Sequence, residues 1–208
     1  MNPKSTVNSA EKLIYFLLVL LAFVVYGNSI RNDYGFDDSY VVMANEYVQK
    51  GAAGIEDILQ MPYAKLGKIK LDYRPIVLVS FALEHQFFND NPHISHFINV
   101  LLYALCLIVL YRVLIVVFHL NKEYAFLPFL ITLFFAVHPI HTEIVNSLKN
   151  RDELFVVLFG MLFILYGYYY YTKTTGRWKY ALLGLFFLTL TLMSKISGLI
   201  FVGILILV

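Results

Sequence analysis

The side chains able to do chemistry lie in a few short strings between long apolar runs. Asp37-Asp38 is a pair of adjacent carboxylates in the one long polar stretch, residues 31–74. Paired acids can supply a general base and a neighbour that holds a metal or a substrate hydroxyl. The competing reading makes one of them, or Ser39, a helix N-cap. His138-Pro139-Ile140-His141-Thr142-Glu143 sets two imidazoles beside a carboxylate. Its H-x-x-H-x-E spacing departs from H-E-x-x-H, and Pro139 disturbs a helix between the histidines. A divalent metal site therefore competes with a helix end at an interface and with the polar wall of a substrate cleft. In Asn150-Arg151-Asp152-Glu153 the acids suit the positive end of a helix. Arg151 has no such folding role and suits a lipid phosphate. Arg74, before Pro75, and Lys195, after Ser194, are further candidates for binding that phosphate. Snorkelling at the membrane surface is the alternative for each.

These strings need a scaffold, and composition says which kind. Of 208 residues, 60% are hydrophobic and 14% charged, against about 45–50% and about 25% in soluble domains. Too few charges remain to cover a globular surface. That excludes an ordinary soluble enzyme, a disordered chain and a nucleic-acid binder, and predicts an all-α, multi-pass integral membrane protein. The net charge of +2 says nothing about partners. Cys106, the single cysteine, excludes an intrachain disulfide.

The apolar runs predict helices over 13–26, 97–118, 126–137 (from as early as Tyr124), 154–171, 180–193 and 199–208. Five crossings with a sixth begun is the simplest count. The first run follows Lys4 and Lys12 and ends at Gly27-Asn28-Ser29, which is not an A-x-A cleavage pattern, so it reads as a retained anchor. Tyr40, Met43, Ala44, Tyr47 and Val48 fall on one helical face, with Gly51 as a stop. Ile55, Ile58 and Leu59 begin a second amphipathic piece ending near Pro62. Such pieces suit a membrane surface. Residues 76–88 reach about 20 Å, short of a hydrocarbon core of about 30 Å. They carry Glu84 and His85 and are broken by Asn89-Asp90-Asn91-Pro92, so they read as interfacial or re-entrant. Basic residues in compact loops (Lys4, Lys12, Arg112, Lys122, Lys173, Arg177, Lys179) place the N-terminus in the cytoplasm. Asp37-Asp38, the segment 138–152 and Lys195 then share the non-cytoplasmic face, periplasmic or lumenal. Residues 199–208 are apolar to the last one, about 15 Å of helix, so a longer natural protein is expected.

Phe36-Asp37-Asp38, Tyr73-Arg74-Pro75, His138 to Glu143 with Arg151-Asp152 downstream, and Ser194-Lys195 resemble, in this order, the N-terminal membrane part of polyprenyl-phosphate-sugar-dependent glycosyltransferases. These have the GT-C architecture. The nearest relatives by this resemblance are the transmembrane and tetratricopeptide-repeat proteins related to protein O-mannosyltransferases. The resemblance implies a polytopic helical bundle, with residues 1–208 as the front of its membrane domain and residues 31–75 as a first external loop carrying interfacial helices. It implies inverting transfer of a sugar, mannose first among the candidates, from a dolichyl- or undecaprenyl-phosphate donor to a protein or glycan hydroxyl. Asp37 matches the first acid of the family's loop motif and Asp38 the second, so an acid of this pair is the implied base. Arg151 and Lys195 fall where the family carries polar or basic groups near the donor. His138, His141, Glu143 and Asp152 line the cleft in this reading. Relatives often carry Lys-Glu where this chain has Lys195-Ile196, and they are longer. Two other classes compete. A transporter or channel needs ionisable groups at mid-membrane depth, which the predicted spans almost lack; a non-catalytic assembly subunit is the third reading.

Overall fold

The computed structural model describes residues 9–63, 65–66, 69–70, 72–118 and 126–207. Lys4, Lys122 and Tyr124, used above for orientation and a helix start, lie outside the described residues. Helix α1 (Ser9–Tyr26) leads into a 3-10 turn, Gly27–Arg31. Its faces differ sharply: Leu18, Ala22 and Tyr26 are buried, while Leu13, Phe16, Leu20 and Val24 are exposed. An apolar stripe of that length is a liability in water and the ordinary outer surface of a helix among lipid tails.

Helix α5 (Pro92–Val117) runs antiparallel to α1. Tyr26 meets Tyr103 edge-on at 5.2 Å, Tyr15 meets Tyr111 at 5.9 Å, and Arg112 reaches Glu11 at 3.3 Å at the far end. Helix α8 (Arg151–Thr172) runs parallel to α5, and α9 (Arg177–Ser194) folds back along it through Phe159, Tyr166, Tyr180 and Phe187. Helix α10 (Ile200–Leu207) lies against α8 where Gly160 and Gly167 leave room. A Cβ at either glycine would collide with Phe201 or Leu205. Small residues let membrane helices approach this closely. Helix α6 (Phe126–Ala136) packs beside α1 and α5, and the Tyr103 hydroxyl donates to the Ala136 carbonyl at 3.1 Å.

Three segments, Ser9–Arg31, Pro92–Val117 and Leu148–Thr172, are long and apolar enough to cross a membrane. Pro75–Phe88, Phe126–Ala136 and Ile196–Leu207 are shorter apolar helices. The protein is thus helical and membrane-integral. A two-residue antiparallel pair, Lys65–Leu66 with Ile69–Lys70, is the exception among the described residues.

The polar stretch folds over one end of this bundle. The single amphipathic helix expected over 40–48 does not form. Helix α2 (Phe36–Val41) stops after six residues, and a 3-10 turn, Val48–Gly54, precedes α3 (Ile55–Ile58). Asn45 is the physical cause. Its Oδ1 accepts the backbone N–H of Tyr47 and Val48 at 3.1 and 3.3 Å, giving the backbone an alternative to helical bonds. The buried side chains are therefore Val41, Val42 and Val48, while Tyr40 and Met43 face out. Gly51, expected as a helix stop, instead kinks this 3-10 stretch from within, at φ +60°, with the Gln86 side chain 2.5 Å from where a Cβ would stand.

Helix α4 (Pro75–Phe88) buries Val77, Leu78, Phe81 and Ala82 against this folded stretch and against Leu148 and Phe155 of the bundle. Arg74, just before its start, touches α8, and Glu84, near its end, touches α5 and α8. Both ends of α4 thus stay at one end of the bundle, so it does not run through it.

Arg151 makes that arrangement compulsory. It is fully buried, with its guanidinium 4.0 Å over the Phe81 ring. Nε donates to Asn99 Oδ1 at 2.7 Å, Nη1 to Ser80 Oγ at 3.1 Å and to the Glu84 carboxylate, and Nη2 to the Ser95 carbonyl at 2.9 Å and to Glu84 at 3.4 Å. Asn99 also donates to the Val145 and Ser147 carbonyls at 3.2 and 3.4 Å. One side chain thereby ties together α4, α5, α8 and the chain before α8.

Removing Glu84 leaves this guanidinium charged, buried and unpaired, a change that costs about 3–5 kcal/mol in other buried pairs. Glu84→Leu should therefore lower the thermal unfolding midpoint in lipid nanodiscs far more than Gln86→Ala, a change at an exposed position two residues on. Equal midpoints for the two variants would contradict the pairing. The arrangement of the ends can be read separately by labelling. In a Cys106→Ala background, Ser39→Cys and Ser197→Cys should react with an impermeant thiol reagent from one side of the membrane and Thr174→Cys from the other. Opposite labelling of 39 and 197 would contradict this fold.

Candidate active site at one end of the bundle

The two acids of the first loop have different jobs. Gly35 occupies the N-cap position of α2, and Asp38, the third helical residue, reaches back to its N–H at 2.9 Å. The other Asp38 oxygen accepts the Lys149 backbone N–H at 2.8 Å. Asp38 is 4% exposed. The cap is therefore made from the third helical position rather than by Asp38 as N-cap itself. Asp37 points elsewhere, with its side chain 54% exposed, and forms an ion pair with the ammonium of Lys149, whose side chain is 36% exposed.

Lys149 lies in the short 3-10 turn, Leu148–Asn150, that opens α8. Its backbone carbonyl accepts the Tyr63 hydroxyl at 2.9 Å. The Tyr63 ring carries the Arg74 guanidinium at 4.9 Å. Arg74 donates to Asp152 Oδ2 at 2.5 Å and to Asp72 at 2.7 Å, and its buried Nε has no partner among the described residues. Lys195, at the end of α9, meets the same Asp152 Oδ2 at 3.2 Å and also pairs with Glu153. Asp152 is almost fully buried, and its Oδ1 accepts the Glu153 N–H at 2.9 Å. Asp37, Lys149, Tyr63, Arg74, Asp152 and Lys195 form one continuous set of contacts drawn from separate stretches of sequence.

Lys195, Arg74 and Asp72 are held in their charged forms. Burial opposes the charge on Lys195, but the bonds to Glu153 and Asp152 outweigh it and hold its pKa above the ordinary lysine value. Burial likewise opposes the charge on Arg74, and Asp72 and Asp152 outweigh it. The Arg74 hydrogen bond keeps the Asp72 carboxyl below its usual range. Burial, and then the Asp152 charge, push the Tyr63 hydroxyl up, so it stays a neutral donor.

Other expected site residues sit differently. Arg151 has every one of its five N–H donors engaged by protein. It offers nothing to a phosphate in this arrangement, and its expected place in the clamp is not met. His141 packs on Phe135 at 4.2 Å and Tyr103 at 5.7 Å, and burial, then His138, lowers its pKa. His138 Nδ1 accepts the Ile140 N–H at 3.2 Å. Glu143 lines an open concavity of about 600 Å³ with Pro139, Ile140, Thr142, Asn146 and Ser147. Among the described residues, no hydrogen bond or ion pair joins the side chains of His138, His141 or Glu143 to Asp37. Nor, among them, do three or more His, Cys, Asp or Glu side chains converge as a metal-ligand set.

Sequence reading does not single out Lys149, Tyr63 or the partner role of Glu84. For Glu84 a signal exists: a carboxylate inside an apolar run calls for a buried partner of opposite sign. Which cation answers it is visible only in the fold, where Arg151 does. For Lys149 and Tyr63 no local pattern points to the role.

Tyr63 can be tested directly. Tyr63→Phe removes the bond to the Lys149 carbonyl and keeps the ring under Arg74, so it should cost about 1 kcal/mol of stability. Tyr63→Ala, which also removes the ring, should cost clearly more. Equal thermal midpoints for Tyr63→Ala and the parent protein would contradict this geometry.

The chain is similar to curated proteins over most of its length. It is 32% identical over 156 residues to protein O-mannosyl-transferase TMTC1 of Mus musculus and 30% identical over 155 residues to that of Homo sapiens, each covering 72% of this chain. It is 26% identical over 198 residues to protein O-mannosyl-transferase TMTC3 of Mus musculus, covering 90% of this chain. The matched part is 16%, 17% and 20% of those proteins' own length. No protein-family model and no solved structure matches the chain. At 32% and 30% identity over 72% of its length, the chain belongs to the family of proteins named protein O-mannosyl-transferase TMTC.

Proposed function

We propose that this chain is the front part of a GT-C-type membrane glycosyltransferase. It moves a sugar, mannose, from a polyprenyl-phosphate donor to a protein hydroxyl on the non-cytoplasmic side. The observation that carries this reading is the continuous contact set from Asp37 to Lys195 at one end of the bundle. A lipid-linked donor keeps its tail among the helices and its phosphate at the surface, where that set lies.

Asp37 is the base in this reading. It is the exposed acid of the pair, while Asp38 is engaged by Gly35 and Lys149. As the acceptor oxygen attacks the anomeric carbon from the face opposite the phosphate, Asp37 takes its proton. The bond from that carbon to the phosphate oxygen breaks, and the configuration inverts. The departing lipid phosphate gains negative charge, which Arg74 and Lys195 stabilise. Asp152 holds both cations on one oxygen. The concavity lined by Glu143, Asn146 and Ser147, just before Lys149 in the chain, suits the acceptor.

General-base catalysis contributes about 10²–10⁴-fold. In membranes containing the full-length protein and a radiolabelled polyprenyl-phosphate mannose, Asp37→Asn should lower transfer to protein by at least about 10²-fold, with no loss of donor binding. Asp38→Asn, which can keep one of the two accepted N–H bonds, should cost less activity and of order 1 kcal/mol of stability. Normal transfer in Asp37→Asn would remove this assignment. No transfer by the parent protein would favour a non-catalytic relative, and solute uptake without transfer a transporter.

A further inference from the structure

The cations at this end differ in what it takes to free them. Arg151 is closed inside the fold with all donors satisfied. Arg74 and Lys195 both rest on the buried Asp152, and taking either away would leave that carboxylate short of a partner. The Lys149 ammonium differs: its partner is the exposed Asp37 carboxylate, and both side chains are open to solvent. Exposed pairs of this kind are held weakly and exchange readily. The Lys149 backbone, in contrast, is fixed at both ends. Its N–H is held by Asp38 and its carbonyl by Tyr63, whose ring carries Arg74. The result is a flexible cation on a rigid mount, joined to Arg74 through Tyr63.

We propose that Lys149 is a further donor-binding residue, whose ammonium leaves Asp37 for the phosphate of a lipid-linked donor when that donor arrives. The exchange rests on the reading given under Proposed function. It links two events that catalysis needs together. Before binding, Asp37 is occupied by Lys149 and cannot face an acceptor. When the phosphate, a stronger multi-oxygen acceptor, draws the ammonium away, the Asp37 carboxylate is released next to the newly bound sugar. No bond is made or broken in this step; one ion pair replaces another. Asp37 is then a competitor of the phosphate for Lys149, and its removal should help binding.

The test measures binding of a polyprenyl monophosphate to the full-length protein in nanodiscs, for the parent, Lys149→Gln, Lys149→Arg, Asp37→Asn and the double variant. Lys149→Gln should weaken binding by roughly tenfold, the loss of one charge-assisted contact. Lys149→Arg should retain most of it. Asp37→Asn should tighten binding several-fold, and the gain should vanish in the Asp37→Asn, Lys149→Gln double variant. The polyprenyl alcohol, lacking phosphate, should show none of these differences. A merely structural Lys149 gives a loss in Lys149→Gln without a gain in Asp37→Asn, and a misfolded variant does not bind more tightly, so either pattern overturns the exchange. Tightening by Asp37→Asn that persists in the double variant, or appears with the alcohol, also overturns it. If the parent protein binds no polyprenyl monophosphate, the donor reading itself falls and the exchange with it, an outcome distinct from all the others.

Discussion

A guanidinium sealed inside the protein is the constraint on which the rest of the structure depends. Arg151 stands at the first position of α8 with no exposure, so each of its donors must find an acceptor in protein. Glu84 answers the charge, and Ser80, Ser95 and Asn99 answer the remaining geometry. Ser80 and Glu84 sit on α4, and Ser95 sits near the start of α5, so α4 has to lie across the bundle end rather than pass through it. With α4 so placed, Arg74 at its start falls beside Asp152, the residue after Arg151. Structural lock and candidate site are therefore consecutive residues on one helix.

The site built on this lock is a balance of charges rather than a bare positive clamp. Lys149, Arg74 and Lys195 face Asp37, Asp38, Asp72, Asp152 and Glu153. Burial divides these acids into two kinds. Asp38 and Asp152 are enclosed and hold positions; Asp37 and Asp72 are open and can be exchanged. A ligand phosphate competes with the open acids at little cost, since exposed pairs contribute about 0–1 kcal/mol. Competing with the enclosed ones is far more expensive. The same division separates a residue suited to proton transfer from its immediate neighbour, although the two are the same amino acid.

Much of this is legible in the sequence, and the exceptions have physical reasons. The long apolar runs and low charge require a helical membrane protein. The shortness of 76–88, together with Glu84, sets this helix apart from the long apolar runs, and the fold keeps both its ends at one end of the bundle. The loop acids, Arg74, Asp152 and Lys195 stand out as ionisable groups between long apolar runs, and the fold brings Arg74, Asp152 and Lys195 into contact. The helical face at 40–48 misleads because side-chain periodicity ignores Asn45, whose carbonyl oxygen takes the backbone N–H groups that a helix would use. Arg151 misleads because a cation at a helix start looks the same in sequence whether it faces solvent or a buried glutamate 67 residues away. Lys149 and Tyr63 escape notice because their roles come from backbone atoms and a ring face, neither of which leaves a mark in residue type.

The lock and the donor site are, on this reading, separate groups of residues: Arg151 holds the fold, and Arg74 and Lys195 hold the phosphate. A structure of the full-length protein in lipid with a polyprenyl phosphate bound tests that separation most directly. The phosphate should lie within hydrogen-bonding distance of Arg74 and Lys195, with Arg151 still enclosed on Glu84 beneath α4. A phosphate held by Arg151, or bound at the opposite end of the bundle, would contradict it.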